Sequence, residues 1–489
     1  MRIFDKNKNI IISGAWDGEF SPCLDGKEAS GGSYGEYMKI IVAGCGKIGT
    51  AILESLVAEG HDVVAIDDNA DVITEITNIY DVMGVCGNSA DCETLDEAGV
   101  ESAQLFVAAA GSDEMNMLSC FIAKKMGAEN TIARIRNPEY NDRSLGFMRQ
   151  QLELSMSINP ELLCAQDMFN ILKLPSAVKI ENFSRRNLEM IEIKLGPDSE
   201  LDGMKLNKLR DKYKISFLVC AVQRGDEMYI PDGNFELKCG DKVGLTATPA
   251  DIQKLLKAIG VLRRQAENVM IMGGSRTAYY LAKMLSNIGI SVKIVEQDPK
   301  RCVELANSLP KAVVIQGDGA QQELLLEEGL NTVDAFVALT GIDEENMLMS
   351  IFASMHNVPK VLSKVNRTEL AALAEKMGLD CIISPKNTTS NILVRYARAL
   401  RNSMGSNVET LYKLMDGKAE ALEFNVKADS KLLGIPLKDL NFKPNILIGG
   451  IMRGRKTIIP SGDDVIMAED RVIVIAADQR LQDLSDIIR

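Results

Sequence analysis

The chain has 489 residues, 46% hydrophobic and 25% charged, and at roughly 150 residues per domain this length predicts about three or four domains. Its 55 basic and 68 acidic residues give a net charge of -13, which argues against nucleic acid as a partner, because phosphate backbones bind concentrated cationic surfaces. The apolar runs fall far short of the roughly 20 residues that cross a bilayer, and the ten cysteines form no CxxC pair, so we expect a reduced, cytoplasmic protein.

The first 37 residues have no counterpart elsewhere in the chain. They are rich in Gly and Ser and contain the only tryptophan, Trp16. Their apolar patch at residues 10–12 is too short for the hydrophobic segment of a signal peptide. We therefore predict a disordered or loosely attached extension. A translation start assigned too early is the alternative, because Met38 begins the first predicted strand directly.

Beyond this extension the chain contains one unit twice, at an offset of 229 to 230 residues. The stretch that begins at Met38 aligns with the one that begins at Glu267, and further matches follow in the same order. Three of them are Gly87-Asn88-Ser89-Ala90 with Gly317-Asp318-Gly319-Ala320, Pro231-Asp232-Gly233 with Pro460-Ser461-Gly462, and Asp241-Lys242-Val243 with Asp470-Arg471-Val472. Gene duplication explains this shared order better than chance does.

Each copy opens with short β-branched runs that alternate with amphipathic stretches, a pattern typical of βαβ units around a parallel sheet. In the first copy the predicted strands cover residues 39–43, 63–67, 82–87, 105–109 and 131–135. Their helices are predicted to begin near Gly46, Ala70, Glu93, Asp113 and Asn137. From about residue 187, and again from residue 419, alternating runs between turn signals indicate a β-rich lobe closed by a final helix.

The predicted fold class is therefore α/β, with two Rossmann-like doubly wound parallel-sheet domains, each followed by a small α+β C-terminal lobe. The predicted domains are residues 38–160, 178–260, 267–385 and 405–489, with a charged linker at 262–267. Ligands of such sheets bind in the crevice outside the carboxyl ends of the strands. The candidate site residues should therefore lie at those ends.

A GxGxxG sequence, from Gly44 to Gly49, follows the first strand of the first copy and opens a helix. The first glycine permits the tight turn, the second lets a pyrophosphate approach the backbone, and the third lets helix and strand pack closely. Asp67 follows 23 residues after Gly44, where a carboxylate can accept both hydrogen bonds of a ribose diol. Asp68 adds a second negative charge, which favours NAD or another adenosine ligand over NADP. The predicted contacts of this loop are Gly44, Cys45, Gly46, Lys47, Ile48 and Gly49.

In the second copy, Ser275 replaces the middle glycine, so its Cβ and hydroxyl stand where a pyrophosphate comes closest. Glu296 again follows 23 residues after the first glycine. Weak binding, binding of a mononucleotide and a purely structural loop all remain open for this copy. Its predicted contacts are Gly273, Gly274, Ser275, Arg276, Thr277 and Glu296.

The other walls of the two crevices are predicted from the remaining strand ends. They are Asn88, Ala110, Gly111 and Arg134 in the first copy, and Asp318, Thr340, Gly341 and Lys364 in the second. Arg134 and Lys364 suit either phosphate charge or the ordinary role of a cation at a strand end. Asp113 and Asn116 are interpreted as an N-cap and first-turn pair at a helix start, not as catalytic groups.

The sequence provides no obvious acid or base for a dehydrogenase, and we predict no catalytic and no metal-binding residue. His61 and His356 are the only histidines, and both precede strands, at the edge of the sheet opposite the crevice. Tyr279 and Lys283 have the spacing used by short-chain dehydrogenases but fall on the wrong helix, and there is no Walker lysine motif. An NAD-dependent oxidoreductase, suggested by the fingerprint alone, stays as the alternative.

The glycine loop, the Asp67 position, the Gly-Asn-Ser-Ala turn, the Asp-Glu-x-Asn helix start and the run at residues 132–136 resemble the domains that regulate potassium conductance. Two such domains, each with a β lobe, resemble the peripheral NAD-binding subunits of Trk potassium-uptake systems. The resemblance covers residues 38–489, and the N-terminal extension departs from it.

This resemblance implies a non-enzymatic role in potassium uptake. A dimer or tetramer would dock as a ring on the cytoplasmic face of a Trk-type potassium-translocating membrane subunit, and contact the membrane only through that partner. Binding of NAD(H), or of ATP or ADP, would shift the ring between conformations. The family contacts carry over to Gly44 through Ile48, Asp67, Ala110, Gly111 and Arg134. In the second copy the resemblance implies the same contacts at Gly273 through Thr277 and at Glu296. A nucleotide sensor of another transporter is a third interpretation.

Overall fold

The computed structural model describes residues 37–140, 142–174, 176–183, 188–197, 199–261, 265–403, 408–477, 479, 481 and 483–489. Residues 1–36 of the predicted extension and residues 262–264 of the predicted linker lie outside the described residues. No described helix combines the length and the apolar character needed to cross a bilayer.

The first nucleotide-type lobe is a parallel sheet in the order β3-β2-β1-β4-β5-β6, so the strand order reverses between β1 and β4. Its strands are β1 (Lys39–Ala43), β2 (Asp62–Asp67), β3 (Met83–Cys86), β4 (Leu105–Ala108), β5 (Thr131–Arg134) and β6 (Met156–Ile158). Its helices are α1 (Lys47–Ala58), α2 (Ala70–Ile79), α3 (Cys92–Glu97), α4 (Asp113–Lys125) and α5 (Asp142–Gln151). The five predicted strands are confirmed to within one residue at each end. The fifth helix begins five residues later than predicted.

The first β lobe is an antiparallel sheet in the order β10-β9-β11-β8-β7. Helix α6 (Pro160–Lys173) leads to its strands, β7 (Lys179–Phe183), β8 (Leu188–Lys194), β9 (Phe217–Arg224), β10 (Glu227–Tyr229) and β11 (Lys242–Ala247), and to its helices α7 (Leu206–Tyr213) and α8 (Pro249–Ala258). Thr248 caps α8, and Pro249 stands at its first position, where a missing N–H costs nothing.

The second nucleotide-type lobe repeats the first, with the order β14-β13-β12-β15-β16-β17. Its strands are β12 (Asn268–Met272), β13 (Ser291–Glu296), β14 (Ala312–Gln316), β15 (Ala335–Ala338), β16 (Lys360–Lys364) and β17 (Ile382–Ile383). Its helices are α9 (Arg276–Asn287), α10 (Pro299–Ser308), α11 (Gln322–Glu327), α12 (Asp343–Met355) and α13 (Thr368–Lys376), and α14 (Pro385–Ser403) follows. The two copies thus confirm the predicted fold class.

The second β lobe has the order β18-β19-β22-β20-β21. Its strands are β18 (Val408–Leu414), β19 (Ala419–Asn425), β20 (Ile446–Arg453), β21 (Lys456–Ile458) and β22 (Arg471–Ala477). The predicted closing helix is wrong for this lobe, whose described C-terminal residues form only a 3-10 turn, Leu484–Ile487. The turn is held by a capping box of Asp483 and Asp486.

A buried ion pair explains one of the repeated motifs of the β lobes. Arg224 binds the buried Asp241 through two hydrogen bonds of 2.8 Å, and Arg453 binds Asp470 in the same way. Both aspartates also accept backbone N–H groups, from Lys238 and Met467 respectively. A bidentate guanidinium compensates the buried carboxylate, so each pair fixes the turn before the last strand of its sheet.

The two β lobes share one apolar core. Phe183 and Met190 of the first lobe pack with Tyr412, Leu414 and residues of β22 from the second. Polar bonds cross the same junction, because the hydroxyl of Thr246 donates to the Gly449 carbonyl at 2.9 Å. The two β lobes are therefore joined by a buried interface between their sheets.

The helix that follows each parallel sheet packs within the compact unit of the other copy. Residues 37–163 and 385–403 form the first unit, and residues 164–384 and 408–489 belong to the second. In the second unit, Met168 and Leu172 of α6 share a core with Leu281 of α9. In the first unit, α14 packs on α1, and Arg398 forms an ion pair with Glu59 at 2.6 Å.

His61 lies at this α1–α14 contact, in the turn before β2. Its ring is buried, and neither ring nitrogen has a hydrogen-bond partner among the described residues. Burial, and then the charge of Arg401, lower the pKa of His61 from 6.5 to about 4, with Arg398 adding to this effect and Glu59 opposing it. The folded state therefore holds a neutral imidazole at neutral pH.

We expect His61 to make stability depend on pH. Its folded-state pKa is depressed, so below about pH 6.5 the unfolded state binds a proton that the folded state does not bind. Stability is therefore lost as the pH falls from about 6.5 to about 4. This predicts a loss of about 2 kcal/mol between pH 7 and pH 5 in the free energy of unfolding, measured by urea denaturation. His61→Phe should remove that increment and His356→Phe should not; an unchanged pH slope in His61→Phe would contradict the assignment.

Candidate nucleotide-binding site

Two glycines of the first loop are fixed by packing against the ends of the central strands. Gly44 has φ +87°, and a Cβ there would lie 2.4 Å from the Ala110 nitrogen. A Cβ on Gly49 would lie 1.8 Å from the Gly44 carbonyl oxygen. The loop therefore runs close against the end of β4 and against the first turn of α1. The positive φ of Gly44 fits the tight turn predicted for the first glycine, and the lack of room at Gly49 fits the close packing predicted for the third.

The middle glycine, Gly46, faces open space instead. It is the exposed N-cap of α1, no atom lies within 4 Å of the position of its Cβ, and no described side chain caps this helix end. The first N–H groups of a helix have no intrahelical partner and carry positive partial charge. The amino end of α1 is thus an open anion-binding position at the topological switch point.

Asp67 stands beside this loop at the end of β2. One carboxylate oxygen accepts the Cys45 N–H at 2.7 Å, and the other accepts the Asn69 N–H at 3.0 Å. The carboxylate thus holds the loop while keeping lone pairs for a ribose diol. Burial raises the pKa of the Cys45 thiol to about 12, so Cys45 contributes its backbone rather than a thiolate.

Asn116 and Asp113 tie the ends of β4 and β5 together, so their interpretation as an N-cap and first-turn pair is wrong. Ser112 is the N-cap of α4. Asn116 is fully buried, accepts the Ala110 N–H at 2.7 Å and donates to the Arg134 carbonyl at 2.9 Å. Asp113 accepts the backbone N–H of Arg136 at 2.8 Å. Recurrence of Asp-Glu-x-Asn in both copies was the signal for this role, since Asn346 bonds Thr340 and Lys364 in the same way.

The remaining predicted residues of the first crevice lie at the ends of three different strands. Arg134 lies at the end of β5, where its guanidinium approaches the Ala109 carbonyl at 3.4 Å and the Glu161 carboxylate at 3.8 Å. Gly111 is exposed next to Ala110 at the end of β4. The side chain of Asn88 is exposed and accepts the Ala90 N–H at 2.9 Å, which makes it a turn former at the end of β3.

The second crevice keeps the loop but closes the helix end. Glu296 accepts the Gly274 N–H at 2.5 Å, as Asp67 does for Cys45. The hydroxyl of Ser275 accepts the Ala278 N–H at 3.3 Å and so caps α9 itself. Arg301 donates to the Gly274 carbonyl at 2.7 Å. Of the other predicted contacts, Arg276 is exposed and Thr277 is buried.

The second crevice is also more acidic. Glu345 occupies the position of Met115, and burial, with a further contribution from the Asp318 carboxylate, raises the pKa of Glu345. Asp318 accepts the Ala320 N–H at 3.0 Å, as Asn88 does in the first copy. A carboxylate at each of these two positions makes the crevice less favourable for a pyrophosphate than the first one.

Neither histidine lies at the carboxyl edge of its sheet. His61 is in the turn before β2, and His356 follows α12 with its ring 4.5 Å from that of Phe352. Both positions are at the amino ends of the strands, as the sequence predicts. Among the described residues, no histidine is therefore placed beside either crevice.

Comparisons with known proteins agree with the duplication. Residues 40–147 and 269–385 each match the TrkA-N domain, and residues 190–260 and 421–489 each match the TrkA-C domain. A Trk system potassium uptake protein TrkA homolog of Archaeoglobus fulgidus is 33% identical over 92% of this chain and 100% of its own length. The Trk system potassium uptake protein TrkA of Vibrio alginolyticus is 30% identical over 91% of this chain and 96% of its own.

Two solved structures share the fold. The GsuK RCK domain superposes with a TM-score of 0.60 at 16% identity and covers 91% of this chain and 94% of its own. The GsuK channel bound to NAD gives a TM-score of 0.59 at 15% identity, covering 91% of this chain and 78% of its own. At these identities the likeness concerns the fold.

The Asn116 clamp predicts a large effect of a small substitution. Asn116→Ala leaves the Ala110 N–H and the Arg134 carbonyl without this partner in a buried place, so we expect a loss of about 2–4 kcal/mol in the free energy of unfolding, measured by urea denaturation. Asn88→Ala, on the surface of the same lobe, should change that free energy by less than about 0.5 kcal/mol. Equal effects of the two substitutions would contradict the clamp.

Proposed function

Because the chain belongs to the TrkA family of Trk-system potassium uptake proteins, we propose that it is a nucleotide-binding regulatory subunit that controls a potassium-translocating membrane protein. The observation that carries the proposal is the uncapped amino end of α1 at Gly46, beside the Asp67 carboxylate. This pair suits the two polar parts of a dinucleotide, its pyrophosphate and its ribose diol.

NAD(H) is the proposed ligand of the first crevice, with ATP and ADP as the alternative adenosine ligands. Asp67 suits a free ribose diol, and the neighbouring Asp68 disfavours a 2'-phosphate. The GsuK channel, which shares this fold, has been solved bound to NAD. The capped and more acidic second crevice is proposed to bind nucleotide more weakly or not at all.

Nucleotide binding is proposed to act as a signal without chemistry. In the described part of the chain both histidines lie at the opposite edge of the sheets, and the raised pKa of Cys45 keeps its thiol protonated at neutral pH. The alternative, an NAD-dependent oxidoreductase, needs a proton-transfer group beside the nicotinamide. Stoichiometric oxidation of NADH by a metabolite in a defined panel would favour that alternative.

The signal would begin at the Asp67 carboxylate. A ribose diol that binds this carboxylate changes the strength of its hydrogen bond with the Cys45 N–H. The position of the loop then depends on whether the diol is bound. A ligand shifts a conformational equilibrium only by its different affinity for the two states. The loop touches β4 through Ala110, so a shift there reaches the Asn116 clamp.

A second copy of this chain is the proposed partner of an apolar face on each nucleotide-type lobe. Leu118 of α4 is 47% exposed and Leu348 of α12 is 63% exposed, and these residues occupy equivalent positions of the repeat. Phe147 of α5 and Met377, which follows α13, are also exposed, by 64% and 51%. Large exposed apolar residues at matching places of two repeats suit a closed, symmetric assembly in which such faces meet.

The proposed site of action is the cytoplasmic face of the membrane. The relatives are named as parts of a potassium uptake system, so a membrane subunit of the Trk type is the proposed partner. Control of another transporter is the competing possibility. Copurification from membranes with the chain as bait would distinguish the two by the identity of the membrane protein retained.

The two crevices predict different effects of the reciprocal substitutions on NADH binding by the first crevice. We expect Gly46→Ser to weaken NADH binding at least tenfold, about 1.4 kcal/mol, because a Cβ and a capping hydroxyl then occupy the phosphate position. Ser275→Gly should leave the affinity of the first crevice unchanged and serves as the matched control. Titration calorimetry on the full chain measures both.

Unchanged NADH affinity in Gly46→Ser would contradict the proposed site. A lack of heat with NADH, NAD, ATP and ADP alike would contradict nucleotide binding altogether.

The apolar faces predict the oligomeric state. We expect Leu118→Asp combined with Leu348→Asp to convert the assembly into smaller species, because a charge would be buried in each contact. Ile79→Asp is the matched control, since Ile79 is 63% exposed but its equivalent in the second copy is the polar Ser308, so the two copies share no apolar surface there. Light scattering coupled to size-exclusion chromatography measures the mass, and an unchanged mass in the double variant would contradict the proposed faces.

A further inference from the structure

A cavity of about 880 Å³ lies in the second compact unit, away from both nucleotide crevices. Leu195 and Ile259 of the first β lobe line one side, and Val358 and Leu379 of the second nucleotide-type lobe line the other. All four side chains are buried. The volume is typical of sites for small organic molecules, and the wall is polar and apolar in about equal parts.

Lys360 is one of the two lysines in this wall, with Lys194. It is the first residue of β16, so it lies at the amino edge of the sheet, and it is only 7% exposed. Its ammonium donates to the Ala177 carbonyl at 2.7 Å, and no carboxylate among the described residues lies within ion-pair distance of it. An ammonium has three donors, and a buried charge without a counter-charge is costly.

The acidic residues of the cavity wall are already paired with other groups. Asp380 binds the ammonium of Lys194 at 2.5 Å, and Glu200 binds Lys212 at 3.1 Å. Lys360 is therefore the charge for which the described part of the cavity offers no counter-ion. A ligand that places a negative charge beside Lys360 would therefore bind most favourably.

The duplication shows that this lysine is not required by the fold. In the sheet register Phe106 pairs with Thr131, and the equivalent Phe336 pairs with Val361, so Lys360 corresponds to Asn130. Asn130 is neutral, and its amide donates to the Gln104 carbonyl at 3.1 Å. The buried cation is thus a feature of the second copy alone.

We propose that this cavity binds a small organic anion, with a carboxylate or phosphate group on the Lys360 ammonium and an apolar or aromatic body against Leu195, Ile259, Val358 and Leu379. The site is separate from the nucleotide crevices, because it lies at the amino edge of its sheet. Its ligand touches both the first β lobe and the second nucleotide-type lobe, so binding strengthens their contact. This inference does not depend on nucleotide binding.

The test uses the full chain and three probes with one type of body. Phenyl phosphate and 4-phenylbutyrate carry the two anionic groups, and 4-phenylbutanol is the neutral counterpart. We expect calorimetry to show one site per chain for at least one anionic probe, with at least tenfold weaker binding of the alcohol. The better of the two anions identifies the head group, and inorganic phosphate alone reports whether the apolar body is needed.

Lys360→Gln should weaken binding of the anionic probe at least tenfold. Lys300→Gln, at an exposed lysine of the same lobe, should leave that binding unchanged. Val178→Phe fills the cavity wall while leaving Lys360 in place, and should also abolish binding, which keeps the test valid if Lys360→Gln does not fold. Equal binding of alcohol and acids, no heat with either anion, or binding unaffected by both cavity variants would each overturn the proposal.

Discussion

The architecture of both crevices depends on one hydrogen bond, from a backbone N–H of the glycine loop to the carboxylate that ends the second strand. In the first copy it joins Cys45 to Asp67, and in the second it joins Gly274 to Glu296. This bond fixes the loop against its own sheet before any ligand arrives, so a nucleotide meets a preorganised position. The close contact of Gly44 with Ala110 completes the same arrangement.

The two copies show how little change separates an open site from a closed one. The hydroxyl of Ser275 caps the amino end of α9. The amino end of α1, at Gly46, has no such cap and is open to an anion. Carboxylates at Asp318 and Glu345 then add charge of the wrong sign for phosphate. The fold itself is unchanged, because the clamps made by Asn116 and Asn346 and the strand order are retained in both copies.

Much of this fold could be predicted from the sequence, because the spacing of apolar residues and the residues that interrupt them determine where strands and helices begin and end. The strand ends at Ala43 and Asp67 follow from β-branched runs that stop at a glycine loop and at an acidic pair. The role of Asn116 could not be inferred in the same way, because a helix-start asparagine usually faces solvent, and only the sheet shows that it points inward. The cavity at Lys360 depends on contacts between residues far apart in the chain, which spacing does not report.

The position of α14 has a consequence for how the protein is made. The helix covers α1 of the first lobe, yet residues 164–384, which lie between the two parts of that unit, belong to the other one. During translation, the first sheet can form early, but one face of α1 stays bare until residue 403 has left the ribosome. That face of the helix therefore lacks its native cover in the nascent chain for as long as the second copy is being synthesised.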